Sequence, residues 1–221
     1  CPNAIFVLVC LSRHKRHVSA VSGVHEKGTV IKGVGFVEHA ELDEFVDLVL
    51  DPIKRKQWDH SDFYDVVASI DDATDVCHVG VPSWGPVSAR DFVSVRRSVT
   101  DRKEGSYCAV QVSIDYNLTG REHMIKKHVR GTLLPSCWKF IQKPGGCECH
   151  YISGVQLGGW LPQAIVDGAV YSNTHGTFFP GVRKIFKRLY DEQTEEGKAK
   201  ASDSEEKDKK DAGKDESSSP N

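Results

Sequence analysis

The sequence predicts an α+β fold built on one antiparallel sheet, and three observations predict it. Short segments of alternating apolar and polar residues recur along the chain. Turn-forming clusters such as Asp71-Asp72, Lys103-Glu104-Gly105 and Pro144-Gly145-Gly146 separate them. One strong helical stripe stands early in the chain, and a long helical stretch closes it. Strands, one helix, many strands and a terminal helix are the order of an α+β domain, not the regular alternation of a parallel sheet.

Residues 4–12 and 17–24 read as strands flanking the basic turn Arg13-His14-Lys15-Arg16, and residues 29–37 read as a third. The helix follows over 42–50. Leu42, Phe45, Val46, Val49 and Leu50 stand at i, i+3, i+4, i+7 and i+8, one apolar stripe of helical period. Glu41, Asp43 and Glu44 lie where the helix dipole favours negative charge. Asp51-Pro52 ends the element, because the residue before proline is pushed out of the helical region. Strands are then predicted at 63–70, 75–81, 90–99, 106–115, 124–133, 137–143 and 147–156. The terminal helix opens at Pro162, a favoured first helical position. It runs to about Asn173, is interrupted around Gly176 and Pro180, and resumes to about Gln193.

The chain has 221 residues, 39% hydrophobic and 27% charged, ordinary for a globular protein. Residues 1–193 are long enough to bury a sizeable core. Residues 194–221 hold no large apolar side chain and are predicted to be a disordered charged tail, since they bury too little to offset ordering entropy. The 29 Lys and Arg nearly balance the 31 Asp and Glu, and the acidic excess falls in the tail. No basic footprint for nucleic acid is left. The apolar run Ala4 to Leu11 is far below the ~20 residues of a membrane span and poorly flanked for a signal peptide. Seven cysteines make an odd set without a framework, which suits the cytoplasm. Cys147 and Cys149 sit two apart on one strand face, a poor geometry for a disulfide. With His150 they lack a partner pair to complete a tetrahedral metal site, so neither metal nor cofactor is expected. Asn117-Leu118-Thr119 matches a glycosylation sequon by chance. No G-x-S-x-G, H-E-x-x-H or P-loop is present, and no enzyme activity is expected.

Residues 82–97 carry the most information. Pro82, Trp84, Gly85 and Pro86 make a loop that exposes a tryptophan. The strand it feeds alternates, with Phe92, Ser94 and Arg96 on one face and Val93, Val95 and Val99 on the other. The string RDFVSVRR (90–97) resembles the most recognisable motif of the START domain, a lipid-transfer module. GGWLPQAIVDGAV (158–170) resembles its other hallmark, in the family's order and at about its spacing.

That resemblance implies a helix-grip fold over residues 1–193, a curved antiparallel sheet wrapped around a long C-terminal helix with an internal hydrophobic cavity. The family opens with a helix ahead of the first strand; that helix is missing here, leaving part of the outer sheet surface uncovered. The function implied is non-enzymatic binding and intermembrane transfer of a lipid by a cytoplasmic monomer that touches membranes transiently and peripherally.

The leading head-group candidates are Arg55 and Asp59, four apart and joined if the segment keeps a helical turn. As an exposed pair they would be worth only ~0.2–1 kcal/mol. As a buried pair they would need further hydrogen bonds, which a zwitterionic head group supplies. A phosphate suits the planar guanidinium, and a choline suits aromatic faces such as Trp58 beside them. In the phosphatidylcholine-binding branch this Arg and Asp are the head-group ligands, so the resemblance points to a glycerophospholipid such as phosphatidylcholine. Arg96 corresponds to the arginine that sterol-binding members pair with an acid on the preceding strand. No acid lies between Val76 and Ala89, and aligning Asp75 would need a gap, which counts against a sterol. Arg96 is then left for a phosphate or for backbone carbonyls. On the last strand Tyr151 is placed to face a quaternary ammonium or the core, with Gln156 and His150 beside it. His123 and His128 are expected at the solvent.

The lid would combine loop 82–89, through Trp84 and Pro86, with the last helix, through Phe178, Phe179, Ile185 and Phe186. Val182, Ile185, Phe186 and Leu189 form its apolar stripe beside the basic Arg183, Lys184, Lys187 and Arg188. That pattern fits either an anionic membrane surface or the protein's own sheet. Gly176 and Pro180 would be the hinge. Sterol or ceramide carriage, and a lipid-sensing scaffold, are the alternatives to phospholipid transfer.

Overall fold

Side-chain alternation along extended segments builds one sheet, and its topology explains why distant parts of the sequence share a cavity. In the computed structural model the described residues are 6–10, 19–25, 28–159, 161, 162, 164–168 and 177–195. The strands are β1 (Phe6–Cys10), β2 (Ser19–His25), β3 (Gly28–Glu38), β4 (Phe63–Asp71), β5 (Thr74–Val81), β6 (Arg90–Asp101), β7 (Ser106–Ser113), β8 (Val129–Arg130), β9 (Thr132–Lys143) and β10 (Gly146–Gln156). Their order is β1-β2-β3-β10-β9-β7-β6-β5-β4, antiparallel throughout, with β8 parallel to the start of β6. The last strand therefore returns to the third, Val155 opposite Thr29 and Gly146 opposite Glu38. The curved sheet carries helix α1 (Leu42–Leu50), a 3-10 turn (Lys54–Gln57), the single turn α2 (Glu122–Ile125), and helical residues 164–168 (α3) and 177–195 (α4).

The predicted stripe of α1 is its buried face, with Phe45, Val46, Val49 and Leu50 all in the core. They meet the aromatic side chains of β9, β10 and α4. Phe45 stands edge-on to Phe140 at 5.0 Å, Trp138 to Phe178 at 4.9 Å, and Phe178 lies 4.8 Å from Phe179. Each such side chain stabilises the fold by roughly 1.5–3 kcal/mol on burial. The rings lie close on the sheet because β3 offers glycine beneath them. A Cβ at Gly33 would sit 2.3 Å from the Tyr151 ring, and one at Gly35 would sit 2.4 Å from Phe179.

Three expectations are corrected here. Residues 124–133 are not one strand: α2 occupies 122–125, held by bonds such as Lys126 N–H to the Glu122 carbonyl (3.0 Å), and only the short β8 and the first two residues of β9 are extended. The cause lies in β6, whose edge is free of β7 before Ser94. The segment after β7 fills that edge, with Ile114 N–H on Val93 O (3.2 Å), Val129 N–H on Ala89 O (2.9 Å) and Gly131 N–H on Asp91 O (2.9 Å). Strand 137–143 begins five residues earlier, at Thr132, because Pro135 sits in a bulge where the pairing jumps from Cys137 to Leu134. Pro180 does not interrupt α4, which is continuous from 177 to 195. Gly176 and most of the predicted break lie outside the described residues.

The outer face of β4, β5 and β6 carries a second apolar cluster of Val76, Val93 and Leu118, and beside it a buried polar network. His78 and Asp91, both fully buried, are joined at 2.9 Å. Arg130 clamps the same Asp91 oxygen with Nε (3.0 Å) and Nη2 (2.7 Å). Arg121 donates to His78 Nδ1 at 3.0 Å and pairs with Asp65. An arginine only donates, so the His78 proton sits on Nε2 and faces Asp91. His128 is not at the solvent: its side chain is buried against Phe63, with its ring nitrogens on Met124 O and Asp62, each at 2.8 Å. These contacts clamp segment 118–131 to the start of β6.

Candidate functional site

Between the inner face of the sheet, residues 55–61, loop 82–88 and the start of α4 lies a cavity of about 190 Å³. Strand alternation decides what lines it. Arg90, Phe92 and Ser94 point in from β6, Val79 and Val81 from β5, and Ser153 and Val155 from β10, with Leu133 and Trp138 from β9. At a rise of about 3.3 Å per residue, Arg90 and Ser94 mark points roughly 13 Å apart along the cavity. Ser94, Ser153 and Gln111 give its apolar wall a few neutral polar groups.

The predicted pair of Arg55 and Asp59 lies in the cavity wall. The 3-10 turn supplies the geometry, with Asp59 N–H bonded to Arg55 O at 3.0 Å, and the Arg55 Nε–H donates to the Asp59 carboxylate. Arg55 Nη1 also donates to the Val49 carbonyl (2.9 Å), so the end of α1 fixes the guanidinium. Its Cζ lies 4.7 Å from the Trp58 ring and 4.6 Å from the Tyr64 ring. The pair is mostly buried, at 16% and 17% side-chain exposure, and so falls in the regime where additional hydrogen bonds matter. Tyr64 also lines the cavity. Burial first, then the neighbouring Cys77, pushes its hydroxyl up to about 12 against the two arginines, so it stays a neutral partner.

Trp58 itself is buried beneath this group; its Nε1–H is spent on the Leu48 carbonyl at 2.8 Å, and its side chain is not in the cavity wall. Arg96 stands one step beyond Ser94, behind the wall rather than in it. The strand register places Asp75 directly opposite, and the two form an ion pair at 2.8 Å with no gap required. Arg96 Nη1 further donates to Leu50 O (3.0 Å) and Tyr64 Oη (2.8 Å), leaving only Nε without a partner. Burial opposes its charge, and Tyr64, Cys77 and Asp75 together hold it more firmly protonated than usual.

Tyr151 is fully buried among Trp138, Phe178 and Phe179, in the core rather than in the cavity wall. Gln156 has the opposite parity to Ser153 and Val155, so it does not join them in that wall. His150 pairs with Glu148 at 2.6 Å. Phe178, Phe179, Ile185 and Phe186 are also core, so the α4 stripe faces the sheet and α1 rather than a surface. Trp84 and Pro86 are exposed, as expected. Trp84 and Val87 exchange two backbone hydrogen bonds (2.8 and 2.9 Å), closing a tight turn in which Gly85 has φ 53°. The Trp84 ring edges the cavity and packs near Gly168 of α3.

The START domain model matches residues 10–191. The chain belongs to the START family, whose members are lipid-binding and lipid-transfer domains. A search of curated protein sequences finds no significant match. Among solved structures, human StAR-related lipid transfer protein 5 is similar at 23% identity and TM-score 0.70, over 84% of this chain and 88% of that one. Human STARD10 is similar at 17% identity and TM-score 0.67, over 86% and 76%. The human StarD13 (DLC2) lipid transfer and protein localization domain follows at 19% and 0.60, over 76% and 85%. At these identities the likenesses show the helix-grip fold.

Within this START domain the sequence reading missed Tyr64, His60 and Ser61 beside the Arg55 pair, and Arg90 at the cavity mouth. Arg90 was within reach, since it has the same parity as Phe92, Ser94 and Arg96. Among the described residues no helix is long and apolar enough to cross a membrane, and no cluster of side chains suits a metal ion.

Proposed function

We propose that this START domain binds a glycerophospholipid such as phosphatidylcholine in its cavity and moves it between membranes without chemical change, as a cytoplasmic monomer that touches membranes peripherally. The observation supporting this reading is the Arg55–Asp59 pair in the cavity wall, with Tyr64 facing the same guanidinium. A phosphate would draw on the Arg55 donors, and the aromatic face of Tyr64 and the Asp59 carboxylate suit a quaternary ammonium. Burial of each acyl CH₂ is worth ~0.8 kcal/mol in the cavity much as in the bilayer, so exchange is reversible. A cavity of about 190 Å³ is below the ~300–1,000 Å³ usual for small-molecule sites. Two acyl chains therefore require it to widen, and loop 82–89 with Trp84, against α3, is the part placed to move.

The test is Arg55→Ala, with lipid occupancy after exposure to phosphatidylcholine vesicles measured by native mass spectrometry. Loss of the bound phospholipid with an unchanged circular dichroism spectrum is expected. Full occupancy in the folded variant would remove the head-group assignment.

A further inference from the structure

Arg90 is the second guanidinium of the cavity, and its surroundings differ from those of every arginine near it. Arg55 meets Asp59, Arg96 meets Asp75, Arg97 meets Asp71, Arg121 meets Asp65 and Arg130 meets Asp91. Arg90 is 5% exposed and meets no carboxylate among the described residues. Its Nε donates to Leu157 O (2.9 Å), and its Nη1 donates to Ser88 O (2.5 Å) and Ser88 Oγ (2.6 Å). Nη2, with two N–H groups, makes one long contact, 3.5 Å to Gly158 O.

A buried cation without a counter-ion is costly, and neutral carbonyls offset the cost only in part. Burial accordingly holds the Arg90 guanidinium below its ordinary pKa. Arg55 and Asp59 cancel each other, so among the described Arg, Lys, Asp and Glu side chains lining the cavity the charge of Arg90 is left over. A zwitterionic lipid adds no net charge and leaves that excess in place.

We propose that Arg90 makes this cavity selective for a lipid with a net negative charge, its anionic oxygen taken by the Arg90 Nη2 at the mouth. The proposal rests on the reading above that the cavity carries a glycerophospholipid, and puts an anionic head group in place of the zwitterionic phosphatidylcholine named there. A phosphodiester and a carboxylate share the required chemistry. Arg90 also ties Ser88 of the Trp84 loop to Leu157 and Gly158, which follow β10, so the anion would seat where the two sides of the mouth meet.

The experiment incubates the full chain with vesicles holding equal amounts of dioleoyl phosphatidylglycerol and dioleoyl phosphatidylcholine, re-isolates it and weighs the bound lipid by native mass spectrometry. The two lipids share their chains and one vesicle surface, so the bound ratio reads the cavity. A charge-assisted hydrogen bond corresponds to a preference of about tenfold for phosphatidylglycerol. Arg90→Gln should bring the ratio close to one, and Arg90→Lys should restore most of it. Should Arg90→Gln fail to fold, the wild-type ratio decides alone. A wild-type ratio near one, or an excess of phosphatidylcholine, overturns the proposal and leaves the lipid-binding reading standing. Binding of neither lipid removes that reading itself. Oleate added to the same vesicles separates the sources. Oleate displacing phosphatidylglycerol assigns the anion to a carboxylate, the reverse to a phosphodiester, and both keep Arg90 in the role.

Discussion

Asp91 offers a test of the clamp behind the cavity mouth. It lies on β6 between Arg90 and Phe92 but points to the outer face, fully buried. One carboxylate oxygen takes His78 and Arg130, while Oδ1 has no partner. Burial alone would raise its pKa; the bonds from His78 and Arg130 and the Arg130 charge more than reverse this, lowering it from 3.8 to about 2. Since the folded value is the lower one, the unfolded chain takes up the proton first. The stabilisation is full above the unfolded value of 3.8 and is lost as pH falls through about 2. At about 1.4 kcal/mol per pH unit, the shift corresponds to about 2 kcal/mol. Other carboxylates titrate over the same range, so the comparison is with Asp91→Asn. Urea melts from about pH 6 to about pH 2 should show the wild type losing about 2 kcal/mol more than the variant across the acid end. Parallel pH profiles for the two proteins would refute the argument, because Asp91 would then carry no linked stability.

Gly33→Ala should cost roughly 1–3 kcal/mol in a urea melt, since its Cβ would fall 2.3 Å from the Tyr151 ring; a neutral effect would mean the ring yields. Burial pushes the Cys147 thiol up to about 12 and that of Cys149 well above the usual value. Both should resist a disulfide reagent until the chain unfolds, and rapid native labelling mapped to either would contradict their burial. Trp84→Ala should slow lipid movement between vesicles more than it reduces the amount bound, and equal losses would make Trp84 a plain cavity wall.

The sequence carried the fold where the signal was local. The stripe of 42–50 and its Asp51-Pro52 stop became α1, and the fourfold spacing of Arg55 and Asp59 became a contact through one 3-10 turn. Register was not local. Whether Asp75 reaches Arg96 depends on how β5 and β6 align across the irregular loop 82–89, which counting along the chain cannot supply. Burial of the α4 stripe was legible, but not its partner: Phe178, Phe179, Ile185 and Phe186 serve the core equally well by pattern as they would a membrane. For Tyr151 strand alternation leaves ligand and core both open, and the glycine opposite it, Gly33, is what marks a ring packed on the sheet. The single turn at 122–125 is too short to show a period.

The most direct test of the central claim is the identity of what the purified chain carries, read by native mass spectrometry and organic extraction. The account predicts one glycerophospholipid per chain, lost in Arg55→Ala. A chain that is empty as purified and takes up no phospholipid from vesicles would contradict it, and a bound sterol or ceramide would contradict the head-group site while keeping the cavity.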